Sequence, residues 1–85
     1  MEKELLKNVN LLHTTDMGMD RIKKNLKLNE EEVVEFCKDI ILDPKCKIYK
    51  MGKNWYCEKD EFRITVNSYS YTIITAHLLK YERNF

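Results

Sequence analysis

The dipeptide Asp43-Pro44 divides this chain into two halves with different hydrophobic periods. Proline has no N–H to give a helix and steers the residue before it into extended backbone. A helical pattern must therefore end there. Before the proline, apolar residues recur every three or four positions. After it, they alternate with polar ones. Both patterns fit in 85 residues, which is one domain's worth of chain. The expected architecture is α+β: two to three helices from the first 43 residues, packed on one face of a four-stranded antiparallel meander formed by residues 45–80.

In the first half, Leu5, Leu6, Val9 and Leu12 predict a helix from Glu4 to Leu12. Thr14 or Thr15 is suited to cap a second helix, with Asp16 in its positive first turn. Gly18, Ile22 and Leu26 fall on one stripe of that helix. A glycine there lowers helix propensity, so close approach to a neighbour is its expected use. Asn29 and Glu32 form a capping box for a third helix, and Leu28 with Val33 forms a hydrophobic staple across it. Val33, Phe36, Cys37, Ile40 and Ile41 make its apolar stripe.

In the second half, Cys46 to Tyr49 and Asn54 to Glu58 read as strands joined by a turn at Met51-Gly52-Lys53. A further turn at Lys59-Asp60 leads to Phe62–Asn67, which alternates apolar and polar residues. Ser70 to Leu79, rich in β-branched residues, closes the sheet. The connections suit antiparallel strands. Cys46 to Tyr49 would be an edge strand, open to a sheet-mediated homodimer beside the monomer.

Phe62, Ile64 and Val66 should face the helices, leaving Arg63, Thr65 and Asn67 outside. A three-residue loop, Ser68-Tyr69-Ser70, would pair Ile64 with Ile74. Thr72, Ile74, Ala76 and Leu78 then point inward, while Tyr71, Ile73, Thr75 and His77 join the outer face. A one-residue change in that loop would reverse the assignment. The outer face then gathers Arg63, Thr65, Asn67, Tyr71, Thr75 and His77, a donor-rich patch without a carboxylate. A cation, hydroxyl donors and a histidine are what phosphodiester chemistry needs. Threonine and arginine are also ordinary residents of a solvated sheet face.

Other features narrow the field. Net charge is +1, whereas a dedicated nucleic-acid binder carries a basic excess. Cys37, Cys46 and Cys57 make an odd count with no CxxC pair, as expected of free thiols in a reducing compartment. No signal peptide or membrane span is visible, so the expected location is the cytoplasm. The cysteines and His13 and His77 show no metal-ligand spacing, and no phosphate loop or dinucleotide fingerprint is present. No metal or cofactor is expected. Residues 18–26 followed by a capped helix resemble a helix-turn-helix, but Glu30-Glu31-Glu32 would meet phosphates at the front of its recognition helix.

Several segments together resemble a small uncharacterised bacterial family of single-domain proteins. They are Leu12-His13-Thr14-Thr15, Gly18 with Arg21 to Leu26, Gly52 to Tyr56, Ile64 to Asn67 and Ser70 to His77. The resemblance implies kinship without an activity. Helices followed by a four-stranded sheet also resemble, at the level of architecture, small bacterial toxin ribonucleases that work on the open sheet face. Two functions follow as expectations. The first is a binding or regulatory module that takes a protein or RNA on its outer sheet face. The second is a metal-independent ribonuclease with His77 or His13 as acid/base and Arg63 or Arg21 holding phosphate.

Overall fold

The first apolar stripe breaks earlier than its spacing predicts. In the computed structural model, which describes residues 2–26 and 33–78, helix α1 spans Glu2–Lys7 and a 3-10 turn follows at Val9–Leu11. Asn8 divides them. Its Nδ2 donates to the Glu4 carbonyl at 2.9 Å and to the Tyr71 hydroxyl at 3.2 Å. A side chain that bonds the backbone of its own turn competes with helix propagation. Leu5 and Leu12 nevertheless both reach the core.

Helix α2, Asp16–Leu26, is capped by Thr15, whose Oγ1 accepts the Gly18 N–H at 3.0 Å. Thr14 does something else: its hydroxyl donates to the Ile73 carbonyl at 2.8 Å. Helix α3, Val33–Leu42, stops before Asp43-Pro44 as the proline requires. The capping residues Asn29 and Glu32, and the staple residue Leu28, lie outside the described residues.

Strands β1 (Lys47–Met51), β2 (Asn54–Lys59), β3 (Phe62–Asn67) and β4 (Ile73–Leu78) form one antiparallel sheet in the order β1-β2-β3-β4. Gly52 takes φ 62° in the first turn and Asp60 takes φ 53° in the second. Glycine enters the left-handed region without steric penalty, and aspartate tolerates it better than most residues. The inner face of the sheet presents Trp55, Cys57, Ile64, Val66, Ile73 and Ala76 to Leu5, Leu12, Ile22, Val33, Cys37, Ile40 and Ile41. Removing each large apolar side chain from water contributes about 1.5–3 kcal/mol. Phe36 adds an edge-to-face contact with Phe62, with ring centroids 5.4 Å apart.

The edge of β4 is covered. Segment 13–15 and α2 lie along it: the Ile73 N–H donates to the His13 carbonyl at 2.6 Å, and Asn25 Nδ2 donates to the Ala76 carbonyl at 3.0 Å. Gly18 makes this docking possible. A Cβ there would collide with Thr14 Oγ1 and stand 3.3 Å from the Ile73 carbonyl oxygen. Close approach was the use expected of this glycine.

The last hairpin departs from its expected register. The Asn67 N–H donates to the Thr72 carbonyl at 2.8 Å, which makes the loop residues 68–71, one longer than expected. Tyr71 supplies the extra residue in a left-handed conformation, φ 58°. Val66 therefore pairs with Ile73, and Ile73 turns inward, fully buried, instead of outward. Beyond it, Thr65 pairs with Thr75 and Ile64 with Ala76, leaving Ile74 unpaired in a bulge. The longer loop flips the faces once, and the bulge flips them back. Thr75 and His77 therefore reach the outer face and Ala76 the inner one. Ile74 does not pair with Ile64, and Thr72 does not point inward.

Candidate functional site

Side chains alternate along a strand, so burial of Trp55 and Cys57 turns Tyr56 and Glu58 outward. Cross-strand pairing extends each of these outward residues into a row. One row runs Tyr49–Tyr56–Thr65–Thr75, and the next runs Lys47–Glu58–Arg63–His77. Successive rows on one face lie about 7 Å apart, two residues along the strand. Among the described residues, no helix covers this face.

The two rows are tied together at Glu58. The Tyr49 hydroxyl donates to Glu58 Oε2 at 2.6 Å, and Arg63 Nε donates to the same oxygen at 3.1 Å. The Tyr49 bond is the main influence that holds the Glu58 carboxyl below its ordinary value; Arg63 and the Lys47 charge add to it, while burial opposes it. The same Tyr49 bond to the carboxylate raises the Tyr49 phenol. The rings of Tyr49 and Tyr56 stack with centroids 5.5 Å apart and planes 24° from parallel. Beside them is a depression of about 290 Å³ lined by Tyr49, Met51, Tyr56 and Arg63. Met51 is 63% exposed, a large apolar side chain left in water.

The residues expected at the site have separated fates. Arg63, Thr65, Thr75 and His77 share the outer face, with Arg63 directly opposite His77. Thr65, between Tyr56 and Thr75 in its row, is only 7% exposed. Asn67 serves the loop: its Oδ1 accepts the Tyr69 and Ser70 N–H groups at 2.9 and 3.0 Å. Tyr71 leaves the outer face. Its left-handed backbone carries its ring against the core, edge-on to Trp55 with centroids 5.9 Å apart, and its hydroxyl accepts from Asn8. The patch is not free of carboxylate, because Glu58 lies between Lys47 and Arg63.

His13 does not converge with His77. It bridges to Thr72, with Nδ1 2.9 Å from the Leu11 carbonyl and Nε2 3.2 Å from Thr72 Oγ1. His77 lies five steps along the strand from Thr72, a distance of about 16 Å. Arg21 is exposed on α2, on the helical side of the sheet. Among the described residues, no three His, Cys, Asp or Glu side chains gather as metal ligands. No helix in that range is long and apolar enough to cross a membrane.

A family model described as protein of unknown function (DUF3781) matches residues 6–77. The chain belongs to that family. The match begins inside α1 and ends at His77, so it spans both rows of the outer face. No curated protein and no solved structure matches significantly. The family's description assigns no activity, and the outer face has to be read on its own chemistry.

Tyr49, Met51, Tyr56 and Glu58 are absent from the site as read from β3 and β4 alone. The signal for them is the alternation around Trp55 and Cys57. A two-residue turn at Gly52-Lys53 then sets Tyr49 opposite Tyr56.

Proposed function

We propose that this protein is a small cytoplasmic, non-enzymatic interaction module of bacterial origin that binds a protein partner on its open sheet face. The observation that carries the reading is the stacked Tyr49–Tyr56 pair beside the depression shared with Met51 and Arg63. Tyrosine, methionine and arginine are enriched where proteins bind one another, and a few such side chains supply most of the binding energy. The pair is also held ready: Glu58 fixes the Tyr49 hydroxyl and the Arg63 guanidinium, so less side-chain freedom is lost on binding. A net charge of +1 and a carboxylate inside the patch favour a protein over a polyanion. The three free thiols suit the cytoplasm. β1 ends the strand order, with no further strand beside it among the described residues, and leaves room for weak self-association.

The ribonuclease reading rests on His77 standing opposite Arg63. It has less support. Glu58 already occupies the Arg63 Nε that would hold a phosphate, and His13 stands at the other end of β4.

The test is capture from cells by wild-type protein beside Tyr56→Ala and Arg63→Ala, with Arg21→Ala as a control on the opposite side. A partner lost by the first two variants and kept by the third supports the proposal. A partner kept by all, or one that disappears on nuclease treatment, refutes it. Metal-free RNA cleavage by the wild type that His77→Ala abolishes would favour the nuclease instead.

A further inference from the structure

The two cysteines nearest the start of the sheet are close together, although nothing in their sequence spacing pairs them. The register Lys47↔Glu58, carried one position back, sets Cys46 opposite Lys59. Side-chain alternation then puts Cys46 and Cys57 on the same, inner face as diagonal neighbours, with Cβ atoms within about 7 Å. Cys46 packs against the core cluster that contains Cys57, and its thiol donates to the Lys47 carbonyl at 4.0 Å. Their surroundings differ. Cys57 is fully buried, whereas Cys46 is half-buried at the rim, one residue ahead of the β1 ladder. All three cysteines are free thiols.

We propose that Cys46 and Cys57 are a hydroperoxide-reactive dithiol, in which Cys46 attacks the peroxide and Cys57 resolves the product to an intramolecular disulfide.

Cys46 is suited to the attacking role. The neighbouring Cys57 thiol is the main influence holding the Cys46 thiol below its ordinary value; the Lys59 charge adds to it, while burial and the Asp43 and Glu58 charges oppose it. The neighbouring Cys46 pushes the Cys57 thiol up, and burial pushes it further. A thiolate at an accessible rim next to a second thiol is the arrangement that reactive cysteines share. Cys37, fully buried on α3, is pushed up to about 12 by burial and is unsuited to the attack.

The chemistry balances. The Cys46 thiolate attacks one oxygen of ROOH; an S–O bond forms, the O–O bond breaks, and RO⁻ leaves and takes up a proton as ROH. The Cys57 sulfur then attacks the sulfenic sulfur. An S–S bond forms, the S–O bond breaks, and hydroxide leaves as water with the Cys57 proton. Two thiols lose two electrons to one peroxide. A disulfide brings Cβ atoms to about 3.5–4.5 Å. Cys46 must therefore move towards β2, which its place outside the ladder permits.

The full-length reduced protein is treated with a stoichiometric amount of hydrogen peroxide, quenched by alkylation, and read by intact mass and a non-reducing peptide map. The expected product has lost two hydrogens and links Cys46 to Cys57. Cys46 should react at least about tenfold faster than Cys37, because thiolate fraction and access set the rate. Cys46→Ser should abolish the linkage, Cys37→Ser should leave it intact, and Cys57→Ser should accumulate a dimedone-trappable sulfenate on Cys46. Because Cys57 lies in the core, the wild-type map decides the matter if that variant fails to fold. A Cys37–Cys57 linkage overturns the proposal. So does over-oxidation of Cys46 with Cys57 still a thiol, or a lack of reaction at Cys46.

Discussion

Gly18→Ala isolates the contact that fixes α2 on the sheet. In a helix, replacing glycine by alanine ordinarily stabilises by about 1 kcal/mol. Here the added Cβ meets three oxygens that are already in use. Thr14 Oγ1, the closest, is bonded to the Ile73 carbonyl; Thr15 Oγ1, at 3.3 Å, is the helix cap; and the Ile73 carbonyl oxygen, also at 3.3 Å, is backbone in β4. Turning Thr14 away loses a hydrogen bond of about 1 kcal/mol. Crowding against backbone that cannot move freely costs a further 1–3 kcal/mol or so. The sign therefore reverses: Gly18→Ala should destabilise by about 1–3 kcal/mol, once the propensity gain is subtracted. For a chain of this size that is a fall in melting temperature of roughly 5–20 °C. Chemical denaturation and calorimetry of Gly18→Ala, Thr14→Ala and the double variant form the assay. In the Thr14→Ala background the closest oxygen is gone, and Gly18→Ala should cost at least about 1 kcal/mol less. A Gly18→Ala protein more stable than wild type, or an equal cost in both backgrounds, would refute the reasoning.

Ile73→Ala should cost about 2–4 kcal/mol and Ile74→Ala about 1 kcal/mol or less, since only Ile73 is in the core; equal costs in urea denaturation would contradict the bulge. Glu58→Gln should lower the Tyr49 titration midpoint, followed by absorbance at 295 nm, because the carboxylate raises that phenol; an unchanged midpoint removes the contact. In the wild type, the depressed Glu58 carboxyl contributes stability that is complete above its ordinary value of 4.5 and lost as pH falls through the lower folded value. The raised Tyr49 phenol contributes stability that is complete below 10.0 and lost as pH rises beyond it. Denaturation from pH 2 to 11 should show both flanks in the wild type, and neither contribution in Glu58→Gln. Asp60→Gly should stabilise by up to about 1 kcal/mol by relieving a left-handed aspartate at φ 53°; a loss of stability would indicate that the aspartate side chain makes a contact of its own.

The boundary at Asp43-Pro44 was legible because proline chemistry is local. The buried stripe of α3 and the strand Phe62–Asn67 were legible because period alone specifies them. The early end of α1 was not, because Asn8 responds to Tyr71, 63 residues away. The last hairpin was half legible. Its faces depend on a count of residues, and two departures of one residue each, the Tyr71 loop position and the Ile74 bulge, cancel beyond Ile74 and not before it. Arg63, Thr75 and His77 were therefore placed correctly, while Tyr71 and Ile73 were not. The aromatic half of the site was hidden by the first turn. It holds two residues, Gly52 and Lys53, and only that count puts Tyr49 on the same face as Tyr56. Side chains that meet across strands cannot be read from a sequence until the turns between them are fixed.

The central claim is that the Tyr49–Tyr56 pair on the open sheet face is what a partner grips. The most direct measurement is the affinity of the captured partner for wild-type protein and for Tyr56→Ala, by calorimetry, with each variant's fold checked by its melting transition. A binding tyrosine at the centre of a patch carries about 2 kcal/mol or more, so Tyr56→Ala should weaken binding by about thirtyfold or more. A folded Tyr56→Ala protein that binds as tightly as wild type would contradict the account.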